Sequence, residues 1–98
     1  MASFNEHANQ CNLSGRLSAT EVKSLWSQRT QILSSDIQQL NLSRLEFADS
    51  AGVAFLLELL AIQRTLNPNF KLVAPAAQLE KLIALYDLEK FFESKGDA

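Results

Sequence analysis

The stretch that most restricts how this 98-residue chain can fold is "FADSAGVAFLLELLAIQRTL", Phe47 to Leu66. A helix is predicted to start at Asp49-Ser50-Ala51-Gly52 and to run to about Leu66, where Asn67-Pro68-Asn69 stops it. At 100° per residue, Val53, Leu56, Leu57 and Leu60 share a sector roughly 100° wide, enough for a core-facing stripe. Phe55, Leu59, Ile62 and Leu66 form a second stripe on nearly the opposite side, with Ala54, Glu58, Ala61 and Thr65 between the two. A helix with two apolar stripes is either enclosed by its own neighbours or shared with a partner. The residues alone are compatible with both.

The rest of the chain supplies the neighbours. "FNE" and "QCNLSG" read as two short strands with a turn near His7-Ala8-Asn9, and Cys11 and Leu13 alternate with polar residues as a half-buried strand requires. Ser18-Ala19-Thr20-Glu21 has the spacing of a capping box, and Val22, Leu25, Trp26, Ile32 and Leu33 follow at helical intervals until Ser34-Ser35-Asp36. "IQQLNLSRLEF" reads as a strand with Leu40 and Leu42 on one face, and "FKLVA" as another. Pro75 suits the first turn of a third helix, with Leu79, Leu82, Ile83 and Tyr86 as its apolar stripe, and Leu88, Phe91 and Phe92 act as late anchors. The order β-β-α-β-α-β-α implies an α/β domain: a mixed sheet of about four strands, with three main helices packed on one face. Asn12, Gln39, Asn41 and Lys71 are the polar alternates expected on the other face. One domain spans 1–98, with a frayed tail expected at about 94–98.

The first turn of the central helix carries the chemistry. Asp49 and Ser50 are both good N-cap residues, and Ala51 and Gly52 leave the turn nearly free of side chains. Glycine in a helix costs up to ~1 kcal/mol relative to alanine, so its presence calls for a reason. Close approach of another backbone is one; a phosphate on the helix N-terminus, stabilised by the dipole and free N–H groups, is another.

Composition removes several function classes. A formal charge of −2 disfavours nucleic-acid binding, which would want clustered Lys and Arg. One histidine, His7, and one cysteine, Cys11, leave no metal cluster and no Cys–His nucleophile pair, so no metal or cofactor is expected. Asp49 and Glu46 lack the partners that acid–base catalysis needs, and there is no glycine-rich phosphate loop. The longest apolar run, broken at Glu58, falls short of the ~20 residues of a membrane span. With no basic-then-apolar start and a lone cysteine, the chain is expected to be cytoplasmic and not an enzyme.

The junction "LNLSRLEFADSAGVAFLL" resembles the signature of STAS domains, in which D-S/T-x-G opens a helix after a leucine-alternating strand; Asp49-Ser50-Ala51-Gly52 matches it. The similarity runs from "CNLSG" to "FKLVAPAAQLEKLIALYDL". "LSG", the Leu25-Trp26 pair, "NLSR", the leucine-rich helix and "LIALYDL" are similar to the MlaB-like branch of the family. That resemblance implies a non-catalytic accessory subunit of a Gram-negative ABC transporter for phospholipid trafficking and outer-membrane lipid asymmetry. It would bind an MlaF-like ATPase subunit, in a membrane complex with its permease, and sit at the inner membrane through that partner without inserting. The partner-binding residues implied are Asp49, Ser50, Ala51, Gly52, Phe55, Leu59 and Ile62. The anti-sigma factor antagonists of the same family imply the alternative, a regulatory switch with Ser50 as phosphoacceptor. A third class, a lipid carrier, would need the apolar helix to line an open cavity.

Overall fold

The computed structural model describes residues 1–93, and the tail expected to fray at 94–98 lies outside the described residues. β1 (Ala2–His7) and β2 (Gln10–Leu17) form an antiparallel hairpin in which Phe4 faces Leu13. α1 (Ala19–Leu25) follows, extended by one 3-10 turn, Trp26–Gln28. Then come β3 (Gln39–Ala48), α2 (Ser50–Leu66), β4 (Lys71–Val73), α3 (Ala77–Leu85), a 3-10 turn at Glu89–Phe91, and β5 (Phe92–Glu93). The strands lie in the order β1-β2-β3-β4-β5, and every pairing after the hairpin is parallel.

The expected α/β architecture is present, with a fifth strand added. Phe92 pairs beside Leu72 at the sheet edge, so the late anchors end in a strand. α1 is shorter than its apolar spacing suggested. Ser27 to Gln31 are all polar, which leaves a continued helix no face to bury. Leu33 and Ile37 still reach the core, carried by a loop whose Ser34 and Ile37 carbonyls accept from the buried Gln63 amide of α2 at 2.8 and 3.1 Å.

One core lies between the sheet and the helices. Cys11, Leu13 and Leu17 of β2 and Leu40, Leu42, Leu45 and Ala48 of β3 meet Val53, Phe55, Leu56, Leu59 and Leu60 of α2, with Leu79 and Ile83 of α3. The spacing of the β3 positions widens from two to three because β3 carries an extra residue twice, between Asn41 and Arg44 and between Leu45 and Phe47. Each bulge returns the next side chain to the core face. The opposite face keeps Asn12, Gln39 and Asn41 half-buried and Lys71 exposed.

The capping box forms as its spacing predicts: the Ser18 N–H and hydroxyl both donate to Glu21 Oε1, the former at 2.8 Å. These two bonds, the hydroxyl first, hold the Glu21 carboxyl well below its ordinary 4.5, at about 2.

Candidate functional site

Asp49 is the N-cap of α2, extended at φ −107° while Ser50 opens the helix. Its Oδ1 accepts from the Gly52 N–H at 2.9 Å, and its Oδ2 accepts from the Ala19 N–H, the first residue of α1, at 3.0 Å. One carboxylate thereby closes the starts of two helices. Both oxygens are committed inside the chain, so Asp49 acts on the surface by shaping it.

Gly52 answers the question its helix position raises. It is buried, and a Cβ there would fall far inside the 3.0 Å limit from the Leu17 carbonyl oxygen, 3.1 Å from the Leu17 carbonyl carbon and 3.3 Å from the Ala48 Cβ. The backbone that approaches closely is the chain's own, at the end of β2. Gly52 is therefore a packing residue and not part of an exposed contact.

Phe55 and Leu59 are each 1% exposed and belong to the core, which corrects their expected place on a partner surface. The end of α1 meets the stripe that periodicity left open: Trp26 stands against Phe55, and the loop that follows is bonded to Gln63 farther along the helix. Ile62 is half-buried, and Leu66, at 55% exposed, is the member of that stripe most open to solvent. Phe55 and Leu59 are thus packed into the core and do not line an open cavity of the kind a lipid carrier needs.

What α2 presents to solvent is the sector between its two stripes. Ser50, Ala54 and Ala61 are exposed, and Ala51, Leu57 and Glu58 half-buried. The signal for Ala54, Glu58 and Ala61 was present in the sequence as the small and polar divider, but periodicity alone did not mark it as the outer face; Leu57, expected in the core-facing stripe, lies half-buried at its edge. Alongside it, Leu57, Leu60, Ala61, Arg64 and Phe91 line a shallow groove of about 270 Å³.

Trp26 borders the same helix and is 44% exposed. Its ring stands 6.1 Å from that of Phe55 at an angle of 53°. The Arg29 guanidinium lies over the Trp26 ring at 4.2 Å, donates to the Trp26 carbonyl at 2.8 Å, and pairs with Glu58 at 3.3 Å. A half-exposed ion pair contributes little to stability by itself. Here it holds a large aromatic in one orientation at the surface, the kind of residue that anchors protein interfaces.

Other candidates gather no chemistry. His7 is exposed on the hairpin, and burial, reinforced by the Glu6 charge, pushes the Cys11 thiol up from 9.0 to about 11, away from the thiolate a nucleophile needs. Among the described residues no group of three His, Cys, Asp or Glu side chains could hold a metal ion.

Comparison with known proteins gives a consistent picture. A family model described as "Mlab, STAS domain" matches residues 1–93. The chain is 38% identical over 81 residues to the intermembrane phospholipid transport system binding protein MlaB of Haemophilus influenzae, covering 78% of this chain and 77% of that protein. Among solved structures it is similar to the anti-sigma factor antagonist SpoIIAA in its unphosphorylated form, with a TM-score of 0.69 at 15% identity over 95% of this chain and 87% of the other. The phosphorylated form, from Bacillus, gives 0.63 at 17% identity over 95% and 90%. At these identities the two structures speak for the fold alone.

Proposed function

The chain belongs to the MlaB-type STAS domain family, and from that premise we propose that it is a non-catalytic accessory subunit of an ABC transporter that moves phospholipid and serves outer-membrane lipid asymmetry. It binds the transporter's MlaF-like ATPase subunit, within a membrane complex with the permease, and supports the assembly and activity of that subunit. It works in the cytoplasm and is held at the inner membrane by its partner. Consistent with this, no helix among the described residues is long and apolar enough to cross a membrane.

The observation that carries the docking site is the contrast within one turn. Asp49 and Gly52 are spent on internal contacts, while Ser50 beside them is exposed and no acidic residue follows Asp49 in the first turn of α2. A partner can approach such a turn closely and meet a hydroxyl able both to donate and to accept. Ala51, Ala54 and the exposed part of Ile62 extend the contact along α2, and Trp26 is its aromatic anchor. Binding of this kind stabilises the partner's assembled state by mass action.

The test is co-purification of the ATPase subunit and permease with the tagged chain, with ATPase activity measured with and without it. Ser50→Asp is expected to abolish recovery while the circular dichroism spectrum and melting temperature stay at wild-type values. Full recovery with Ser50→Asp refutes docking at this turn.

A second reading rests on the same exposed hydroxyl. At the N-terminus of a 17-residue helix, an added phosphate would be stabilised by the dipole, as an anti-sigma factor antagonist-type switch requires. Mass spectrometry of the Ser50 peptide from native cells separates the two. A phosphorylated peptide together with a serine kinase partner favours the switch, and an unmodified peptide with the ATPase subunit favours the transporter.

A further inference from the structure

β3 outruns β4. Their pairing stops at Asn41 beside Val73, whereas β3 continues along β2 as far as Leu17 beside Ala48. The segment after β4 takes over the vacated edge. The Ala76 N–H donates to the Leu42 carbonyl at 3.3 Å, and farther along Gln78 of α3 reaches Ala48. The Ala48 N–H donates to Gln78 Oε1 at 3.0 Å, and Gln78 Nε2 donates to the Ala48 carbonyl at 2.9 Å. A primary amide offers a donor and an acceptor side by side, so this side chain replaces both partners that a neighbouring strand would have supplied. Ala48 is fully buried, where an unpaired N–H or carbonyl is costly.

Ala48 is also the last residue before the N-cap. Its carbonyl belongs to the peptide that carries Asp49, and Asp49 in turn holds the Ala19 and Gly52 N–H groups. Resting on the reading of Ser50 as the docking point, we propose that Gln78 is the positioning residue of the docking turn. It clamps the Ala48–Asp49 peptide, so that the Asp49 carboxylate keeps both helix starts in register and Ser50 is presented in one orientation. The start of α3 is thereby tied to a surface it does not itself form.

Two variants of the full chain test this. Gln78→Ala removes both bonds. Gln78→Glu keeps the acceptor but cannot donate to the Ala48 carbonyl while ionised, and regains the donor when protonated. The readouts are amide hydrogen exchange followed by NMR and affinity for the purified ATPase subunit. Gln78→Ala is expected to speed exchange at Ala19 and Gly52 about tenfold, with the β1–β2 hairpin amides unchanged, and to weaken binding about tenfold. Gln78→Glu should show the same pattern at pH 7 and return towards wild-type exchange, compared at equal pH, as its carboxyl protonates below about pH 4.3. A residue that merely added stability would speed the hairpin amides equally and would show no rescue by protonation.

Unchanged exchange at Ala19 and Gly52 overturns the proposal, and so does altered exchange with unchanged affinity. If Ser50→Asp binds as wild type, the docking reading falls and takes the binding half of this proposal with it. The exchange data then still decide whether Gln78 holds the turn.

Discussion

Replacing Gly52 by alanine separates two explanations of that glycine by the sign of a stability change. If the glycine serves only a partner's approach, Gly52→Ala leaves the free chain unstrained and stabilises α2 by up to ~1 kcal/mol through helix propensity. The packing predicts the opposite. The new methyl group would overlap the Leu17 carbonyl oxygen and press on the Ala48 Cβ, and neither can yield as the tip of a flexible side chain does. The first turn of α2 or the end of β2 must move by something of the order of an ångström, an overpacking cost of ~1–3 kcal/mol. That movement also stretches the two Asp49 bonds at 2.9 and 3.0 Å, which tie the turn to itself and to α1. Each is charge-assisted and contributes about 1.5–3 kcal/mol when intact, so losing part of either adds to the cost. Set against the propensity gain, the net loss is roughly 2–4 kcal/mol. For a domain of this size that lowers the melting temperature by about 10–25 °C. Thermal and urea unfolding followed at 222 nm measure it directly. A Gly52→Ala chain as stable as wild type, or more stable, refutes the argument that β2 fills the space over this residue.

Three further outcomes follow from other parts of the fold. Phe55→Ala and Leu59→Ala should each destabilise by ~2–5 kcal/mol, so any loss of partner binding should track the unfolded fraction in a urea titration. Loss of binding with wild-type stability would return these residues to the surface. For Glu21 the folded carboxyl sits at about 2, below its ordinary 4.5. Its stabilising contribution is therefore complete above pH 4.5 and is lost as pH falls towards 2, so Glu21→Gln should flatten the dependence of the urea midpoint on pH across that window. Ala8, at φ 56° in the β1–β2 turn, occupies a conformation that favours glycine, and Ala8→Gly should stabilise the chain by about 1 kcal/mol, read as a raised urea midpoint.

Much of this protein was determined by near neighbours in the sequence and could be read from them. The Ser18–Glu21 box and the Asp49 cap depend on spacings of three residues, and the strand and helix periods depend on side chains within a few turns. Alternation in "CNL" and "LNL" placed Cys11, Leu13, Leu40 and Leu42 inward, where they are fully buried. Gly52 was marked as unusual because a helix penalises glycine wherever it occurs.

The identity of what meets each face belonged to the tertiary structure. Leu17, which makes the glycine necessary, and Ala19, the second partner of Asp49, lie 35 and 30 residues away along the chain. Phe55 and Leu59 looked as free as any outer stripe, because a period of 3.6 separates the sides of a helix without saying which of them its neighbours cover. Trp26 and the loop after α1 close on that side of the helix, and the narrow sector between the stripes becomes the outer face. The same long-range packing added β5 and set Gln78 against Ala48 where β4 stops short. Local sequence sets the period and the caps because those interactions reach only a few residues, whereas burial and close approach exist only once distant segments have been brought together.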